Sequence, residues 1–492
     1  MRFLRKRTKP YTQSDVPAME LVPGEIEPKL AQIQQYLSHT DDLKFQRLFL
    51  GGQSVVFLYM ESLIKQQLVQ SHILKPLLEA DSTDFENIVS SIEVKQSSNV
   101  HHIGKALLDG FCVAIAEHGS TAFLMAAAES QGRSIGEPKD EQIIKGAHDG
   151  FVESLNTNLY LLRNRIKSPR LKVKYFTLGR VTNTKVAMVY VDGYVDPNLI
   201  EECERRLAAI DFDYLYSVAN LDEMIEEHPF SPFPQTLQSG RPDRAVSYLM
   251  EGKINLFVDG SPLALILPIT FFSFYQSSDD YNHRWITGSF FRLIRFISFI
   301  LAISLPAIYI AIVTYHSEVL PIGILYSVKV SLTYVPFPPI MEAISMQLIL
   351  ELLKEAAIRL PSPIAQTIGI VGGLVIGTAV VEAHLVSHTM IVVIGLTAIA
   401  SFATPINEFG TSLRILGFPT MIAASLFGFF GIAIMLMLIF IHLCKIESMG
   451  VPYFNPFGPF PDKQGIKDIF LRLPIWNTDP KPQSFFKRWK RT

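Results

Sequence analysis

The chain has 492 residues, 49% hydrophobic and 18% charged, and 44 Lys+Arg against 46 Asp+Glu give a formal net charge of −2. That balance gives no reason to expect a nucleic-acid binder, which needs a basic surplus. Three widely spaced cysteines, Cys112, Cys203 and Cys444, argue against a disulfide framework or a cysteine-based zinc site.

The basic start, MRFLRKRTKP, has no apolar stretch behind it and does not read as a secretory signal. Residues 1–35 as a unit, and 10–28 in particular, read as disordered. Two soluble subdomains of α/β or α+β type follow, over 36–130 and 131–285. Strands are predicted at 43–50, 53–60, 111–116, 121–126, 173–180 and 185–191, and helices at 61–79, 101–110, 140–165, 198–209 and 242–251. Asp259-Gly260-Ser261 reads as a turn between strands at 253–259 and 262–268. The stretches 131–140 and 228–242 read as linkers.

The mean hydropathy of +0.26 is high for a soluble protein, and its source lies further along the chain. Residues 297–443 carry only ten charges: Glu318, Lys329, Glu342, Glu351, Lys354, Glu355, Arg359, Glu382, Glu408 and Arg414. Uncharged gaps at 296–317, 360–381, 383–407 and 415–444 are each at least 22 residues long, and about 20 apolar residues cross a bilayer. A helical membrane domain of four to five spans is expected over 286–445. Segment 319–337 is either a fifth span or re-entrant. Lys329 lies at its centre, where a charge must face protein or water, and Pro336, Pro338 and Pro339 end it. Residues 340–359 form an amphipathic pattern, with Ile344, Leu348, Leu352 and Ile358 apart from the charges, suited to the membrane surface or to covering other helices. Arg284, Arg292 and Arg295 before the first span, and the basic end SFFKRWKRT, place both ends in the cytoplasm and favour an even number of spans. The tail 446–492 reads as interfacial and basic, with 451–465 extended along the membrane.

Catalytic signatures are missing: there is no GxGxxG, Walker loop, HExxH or GxSxG. No enzyme, cofactor or metal is expected, although His384 and His388, with Glu382 nearby, have a spacing that could place two imidazoles on one helix face. The organised span is 364–383. Gly369, Gly373 and Gly377 recur every four residues and permit close helix packing. At about 100° per residue, Thr367, Val371, Val375, Thr378 and Glu382 fall on the other side. That stripe, narrow and apolar in the middle, suits either a pore with a dewetting constriction or a packed helix whose Thr hydroxyls bond its own backbone.

The sequence RPDRAVSYLMEGKINLFVDGSPLALILP at 241–268 resembles the most recognisable block of the A subunits of GerA-type spore germination receptors. SSDDYNHR (277–284), LPAIYIA (305–311), VPFPPIMEA (335–343), LLKEAAIRLP (352–361), IGIVGGLVIG (368–377), SFATP (401–405) and SMGVPYFNPFGP (448–459) continue the resemblance. Upstream, EPKDE (137–141), GFVESLNTNLYLLRNRIK (150–167) and VYVDGYVD (189–196) also fit. It covers about 40–475. Gly136, Gly240 and Ala147-His148 depart from the usual pattern. The resemblance implies a multi-pass protein of the spore inner membrane that acts with a transporter-like B subunit and a lipoprotein C subunit. It further implies that the B subunit binds the germinant, an amino acid, sugar or nucleoside, and that the A subunit forms a homo-oligomer and conducts ions. A carrier using Lys329 and Glu382, or a scaffold without a conducting path, are the alternatives.

Overall fold

The computed structural model describes residues 20–22, 24–80, 85–89, 93–117, 119–128, 136, 138, 141, 145–361, 364, 369–370, 372–457 and 469–474. Strands β1 (Leu43–Leu50), β2 (Gln53–Met60), β3 (Val94–Ser97), β4 (Phe111–Ala116) and β5 (Ala122–Ala126) form one sheet in the order β1-β2-β4-β5-β3. A second sheet takes β6 (Leu171–Leu178), β7 (Thr184–Val191), β8 (Leu237–Ser239), β9 (Ile254–Val258) and β10 (Ala264–Leu267) in the order β6-β7-β9-β10-β8. All pairings in both are antiparallel, so the soluble half is α+β in the strict sense. β1 and β2 are joined by Gly51-Gly52 alone, with φ of 54° and 79°, the geometry in which a two-residue turn matches strand twist.

Helices α1 (Ile26–Tyr36) and α2 (Val100–Leu108) cover one face of the first sheet, and an irregular helical stretch at 66–80 covers the other. The second sheet is flanked by α3 (Leu155–Arg165), α4 (Pro197–Ala209), α5 (Val218–Ile225) and α6 (Pro242–Met250), with α3 and α6 on one face and α4 and α5 on the other. Because both faces are covered, alternation disappears: every residue of β9 and β10 is buried.

Three expectations change here. Helix α1 lies within the stretch expected to be disordered: Ile33 packs in the core, and Lys29, also buried, donates to the carbonyls of Ala116, Glu117 and Gly119 at 3.2, 2.8 and 2.7 Å. Residues 1–19 lie outside the described part. The helix expected from 140 starts only at Leu155, whose N–H is capped by the Asp259 carboxylate at 3.1 Å. The supposed linker 228–242 is largely core, with Phe233, Gln235, Thr236 and Arg241 buried.

The subdomains are joined by a buried ion pair. Arg163 of α3 donates through Nε to Asp42 Oδ2 at 2.7 Å, with side chains only 2% and 0% exposed. Arg163 also reaches Thr40 Oγ1 (3.2 Å) and the Leu171 carbonyl (3.3 Å), while Ser62 donates its N–H and hydroxyl to Asp42 at 3.1 and 2.7 Å.

Further along run α7 (Trp285–Thr314), α8 (Ile322–Thr333), α9 (Pro339–Arg359), α10 (His388–Phe402) and α11 (Asn407–Lys445), with a short helix at Gly377–Glu382 before α10. Among the described residues only α7 and α11 are long and apolar enough to cross a membrane. The four to five full spans expected are therefore not matched by helix length. Charge-free gaps do not show where helices stop: 383–407 begins with a turn and ends past α10, whose 15 residues rise about 22 Å against a hydrocarbon layer of about 30 Å. Helix α8, with 12 residues, is shorter still and ends before Pro336.

Helix α11 is a hairpin. At Gly428 the backbone leaves helical geometry (φ 60°, ψ −140°). Phe409 near its start and His442 near its end both lie against Phe233, at ring separations of 6.0 and 6.2 Å. A straight helix would separate those two residues by about 50 Å. The Tyr315 hydroxyl, just past α7, lies 3.0 Å from each of the Ser425 and Leu426 carbonyls that the break leaves open, and His316 stacks on Phe429.

Candidate functional site

The helical region begins and ends at the second sheet. After β10, Phe271, Phe272, Phe274 and Tyr275 form an aromatic platform with Phe299 of α7, Phe409 of α11 and Tyr453 beyond it. The Phe271 N–H donates to the Tyr453 carbonyl at 2.9 Å. Ser448 Oγ accepts from the Ile269 N–H (3.0 Å) and donates to the Gln235 carbonyl (2.6 Å). Residues 447–453 thus dock under the sheet. Of the segment expected to be extended over 451–465, residues 458–465 lie outside the described part.

A second joint connects α5 and the 231–236 loop to the hairpin. Ser231 Oγ meets His442 Nε2 at 2.9 Å, and Ser412 donates to the Pro232 carbonyl. Glu226 sits beside this joint and accepts the Gln235 N–H at 3.0 Å. Burial first, and then the neighbouring Asp222 carboxylate, push it up to about 7. Its proton affinity is raised by folding from an ordinary 4.5, so its stabilising contribution is complete below about 4.5 and is lost as pH rises to about 7. Glu202, held down at about 2 by Arg205 and Arg206, titrates outside that window. The melting temperature of the detergent-solubilised protein is expected to fall between pH 5 and 7.5, and E226Q to lessen that fall. An identical slope in E226Q would contradict the assignment.

On the outer side of the joint, Asp280 gathers Arg295 (2.9 Å) and Arg292 (3.4 Å) at the first turns of α7. Two of the arginines expected at the membrane boundary are therefore held by a carboxylate. Helix α7 thus starts from a base held by these ion pairs.

Of the pore-stripe residues, Thr367 and Val371 lie outside the described part, and so does the Val375 side chain. Thr378 and Glu382 are exposed, and the Thr378 hydroxyl donates to the Leu374 carbonyl at 2.7 Å. The regular 100° stripe is corrected by a π turn at Gly372–Ile376, whose wider turn rotates later side chains away from α-helical spacing. Among the described residues outside their own helix, no atom lies within 4 Å of where a Cβ would stand on Gly369, Gly373 or Gly377. They do not pack against another helix of the same chain. Gly372 is the one in contact, with Leu353 of α9 at 2.8 Å from that position. Lys329 on α8 is exposed and forms no ion pair with Glu382. His384 has a φ of 56° and ends the helix, so it shares no helix face with His388. No group of three metal-ligating side chains occurs among the described residues.

Glu342 was not apparent as a site residue. It is buried in the first turn of α9 and accepts the Ser387 N–H at 2.8 Å. Its only signal was position, a carboxylate in an apolar run directly after Pro338-Pro339. The joint residues Ser231, Phe233 and Tyr453 were hidden in stretches rich in proline, which read as loops.

The family model described as Bacillus/Clostridium GerA spore germination protein matches residues 31–484. The chain is 37% identical over 452 residues to the membrane protein YfkQ of Bacillus subtilis (strain 168), covering 90% of this chain and 88% of that one. It is 34% identical over 457 residues to spore germination protein A1 of the same organism, covering 92% and 94%. Spore germination protein KA, also from that strain, is 33% identical over 481 residues, covering 96% and 88%. The crystal structure of the N-terminal domain of the A subunit of the Bacillus megaterium spore germinant receptor GerK3 aligns with a TM-score of 0.41 at 24% identity, over 52% of this chain and 99% of that one.

Proposed function

The chain belongs to the Bacillus/Clostridium GerA spore germination protein family, and from that membership we propose that it forms an oligomer in the spore inner membrane and releases ions when a nutrient is sensed. The observation that carries this reading is the glycine-rich segment 364–383. Gly369, Gly373 and Gly377 meet no described residue outside their own helix, in a region whose outer surface is apolar. Lipid or further copies must cover such a face.

Helix α7 and the two legs of α11 supply three passes. We assign a fourth to the glycine-rich segment 364–383, an even number because the bundle starts and finishes at the same sheet. Thr367, Val371 and Val375 remain the proposed pore lining, with Val371 and Val375 as its constriction, while Thr378 and Glu382, past the π turn, leave that stripe. A transporter-like B subunit would bind the germinant, and a lipoprotein C subunit would complete the receptor. The carrier alternative is less favoured, since Lys329 and Glu382 are both exposed.

Serine at Val371 or Val375 is expected to wet the constriction, so that spores lose potassium without nutrient. Potassium measured in the medium of nutrient-free spores tests this. Normal retention in variants that accumulate at the usual level would contradict it.

A further inference from the structure

We propose that Glu342 is the positioning residue of the glycine-rich segment, and that α9 is the lever that moves it. The inference rests on the conducting role proposed above.

Glu342 is fully buried, and its carboxylate reaches across the bundle to the Ser387 N–H at 2.8 Å. Ser387 is the N-cap of α10, its hydroxyl accepting the Met390 N–H at 3.3 Å, and the Tyr309 hydroxyl of α7 lies 3.4 Å from that same oxygen. One carboxylate therefore ties α9 to α10 beside α7. Around it are Ala307, Ile310, Ala311, Ala343, Val386 and Met390, all buried. A charge among such neighbours needs compensation. It has two sources here: the N-terminal end of its own helix and the N-terminal end of α10.

Ser387 follows directly on the end of the glycine-rich segment. That end is rigid: His384 takes a φ of 56°, and the Leu385 N–H returns to the Val380 carbonyl at 3.0 Å, the closing bond of a Schellman stop. A hold on Ser387 is thus a hold on Gly377–Glu382. A second contact on the segment, at Gly372, also comes from α9, through Leu353. Glu342 and Leu353 are eleven positions apart, about three helical turns, so both lie on one face of α9. Further contacts of α9 point toward the soluble half. Glu351 pairs with Arg414 at 2.7 Å, two residues from the Ser412 that bonds the Pro232 carbonyl, and Lys354 lies over the Phe402 ring. A shift at the soluble joint has a continuous packed route through α9 to Ser387 and to Gly372.

The test uses the purified full-length protein in liposomes loaded with potassium, and compares efflux in wild type, E342Q, E342D and E342A. Glutamine keeps an acceptor at the same reach and should behave like wild type. Aspartate keeps the charge but falls short by one methylene, and should leak like alanine. Loss of a hydrogen bond to a buried acceptor shifts an equilibrium by up to roughly ten-fold, which sets the expected rise in efflux. Efflux from E342D equal to wild type, or from E342Q equal to E342A, would overturn the proposal. Hydrogen exchange at Ser387 supplies a readout independent of conduction: its amide should exchange slowly in wild type and E342Q and rapidly in E342D. If no variant conducts but this exchange pattern holds, the conducting role fails and the tie stands. If exchange is the same in all, the tie itself is wrong.

Discussion

Leucine in place of Arg163 is expected to destabilise the protein by about 3–5 kcal/mol, because it leaves Asp42 charged and buried without its partner. The two side chains are 2% and 0% exposed, so water cannot substitute for the guanidinium. Ser62 would still donate to Asp42 through its N–H and hydroxyl, but these neutral donors only partly offset the charge. Thermal unfolding followed by circular dichroism reads the loss. Adding D42N to R163L should recover a large part of it, since asparagine keeps an acceptor for Ser62 and removes the charge. If the double variant is no more stable than R163L, then lost packing rather than the stranded charge explains the effect. The pair joins the two subdomains, so both should lose cooperativity together.

At Gly428 the expected effect comes from the backbone. A φ of 60° with ψ near −140° is open to glycine and costs other residues about 1–3 kcal/mol. An added Cβ would also lie 3.0 Å from His316 Nε2 and 3.3 Å from Tyr315 Cδ2, in the layer that closes the hairpin. G428A should therefore lower the thermal stability of the solubilised protein by about 2–3 kcal/mol. The matching control lies eleven residues earlier. At Gly417 the nearest atom to an added Cβ is the Ala302 carbonyl at 3.9 Å, an ordinary contact in a helical stretch. G417A is expected to be neutral or to stabilise by up to about 1 kcal/mol. Equal behaviour of the two variants would mean that α11 does not reverse at Gly428.

Strand positions were largely legible because their signal is local: β1 and β2 coincide with the β-branched and aromatic runs on either side of Gly51-Gly52. Family membership was legible in the ordered series of short blocks from Arg241 to Pro459. The number of long helices was not. Charge gaps report what a bilayer tolerates, whereas Gly428 and the turn at 383–387 depend on how the chain folds back, and one glycine in an apolar run carries no mark of a reversal. Helix α1 was missed because its apolar positions are few and Lys29 occupies a buried one. Glu342 was hidden for the opposite reason. Its partner is a backbone N–H 45 positions away, and a backbone donor leaves no trace in residue identity.

Cysteine accessibility at Val375 tests the central claim, that the glycine-rich segment lines a conducting path between copies. Cys112 and Cys203 are buried and Cys444 is exposed, so V375C in a C444S background presents one reactive thiol. Currents across a planar bilayer would be recorded before and after a water-soluble cationic methanethiosulfonate. The account predicts stepwise currents that fall sharply on modification, with no change in the C444S parent. Complete modification with undiminished current, or a correctly inserted protein that passes no current, would contradict it.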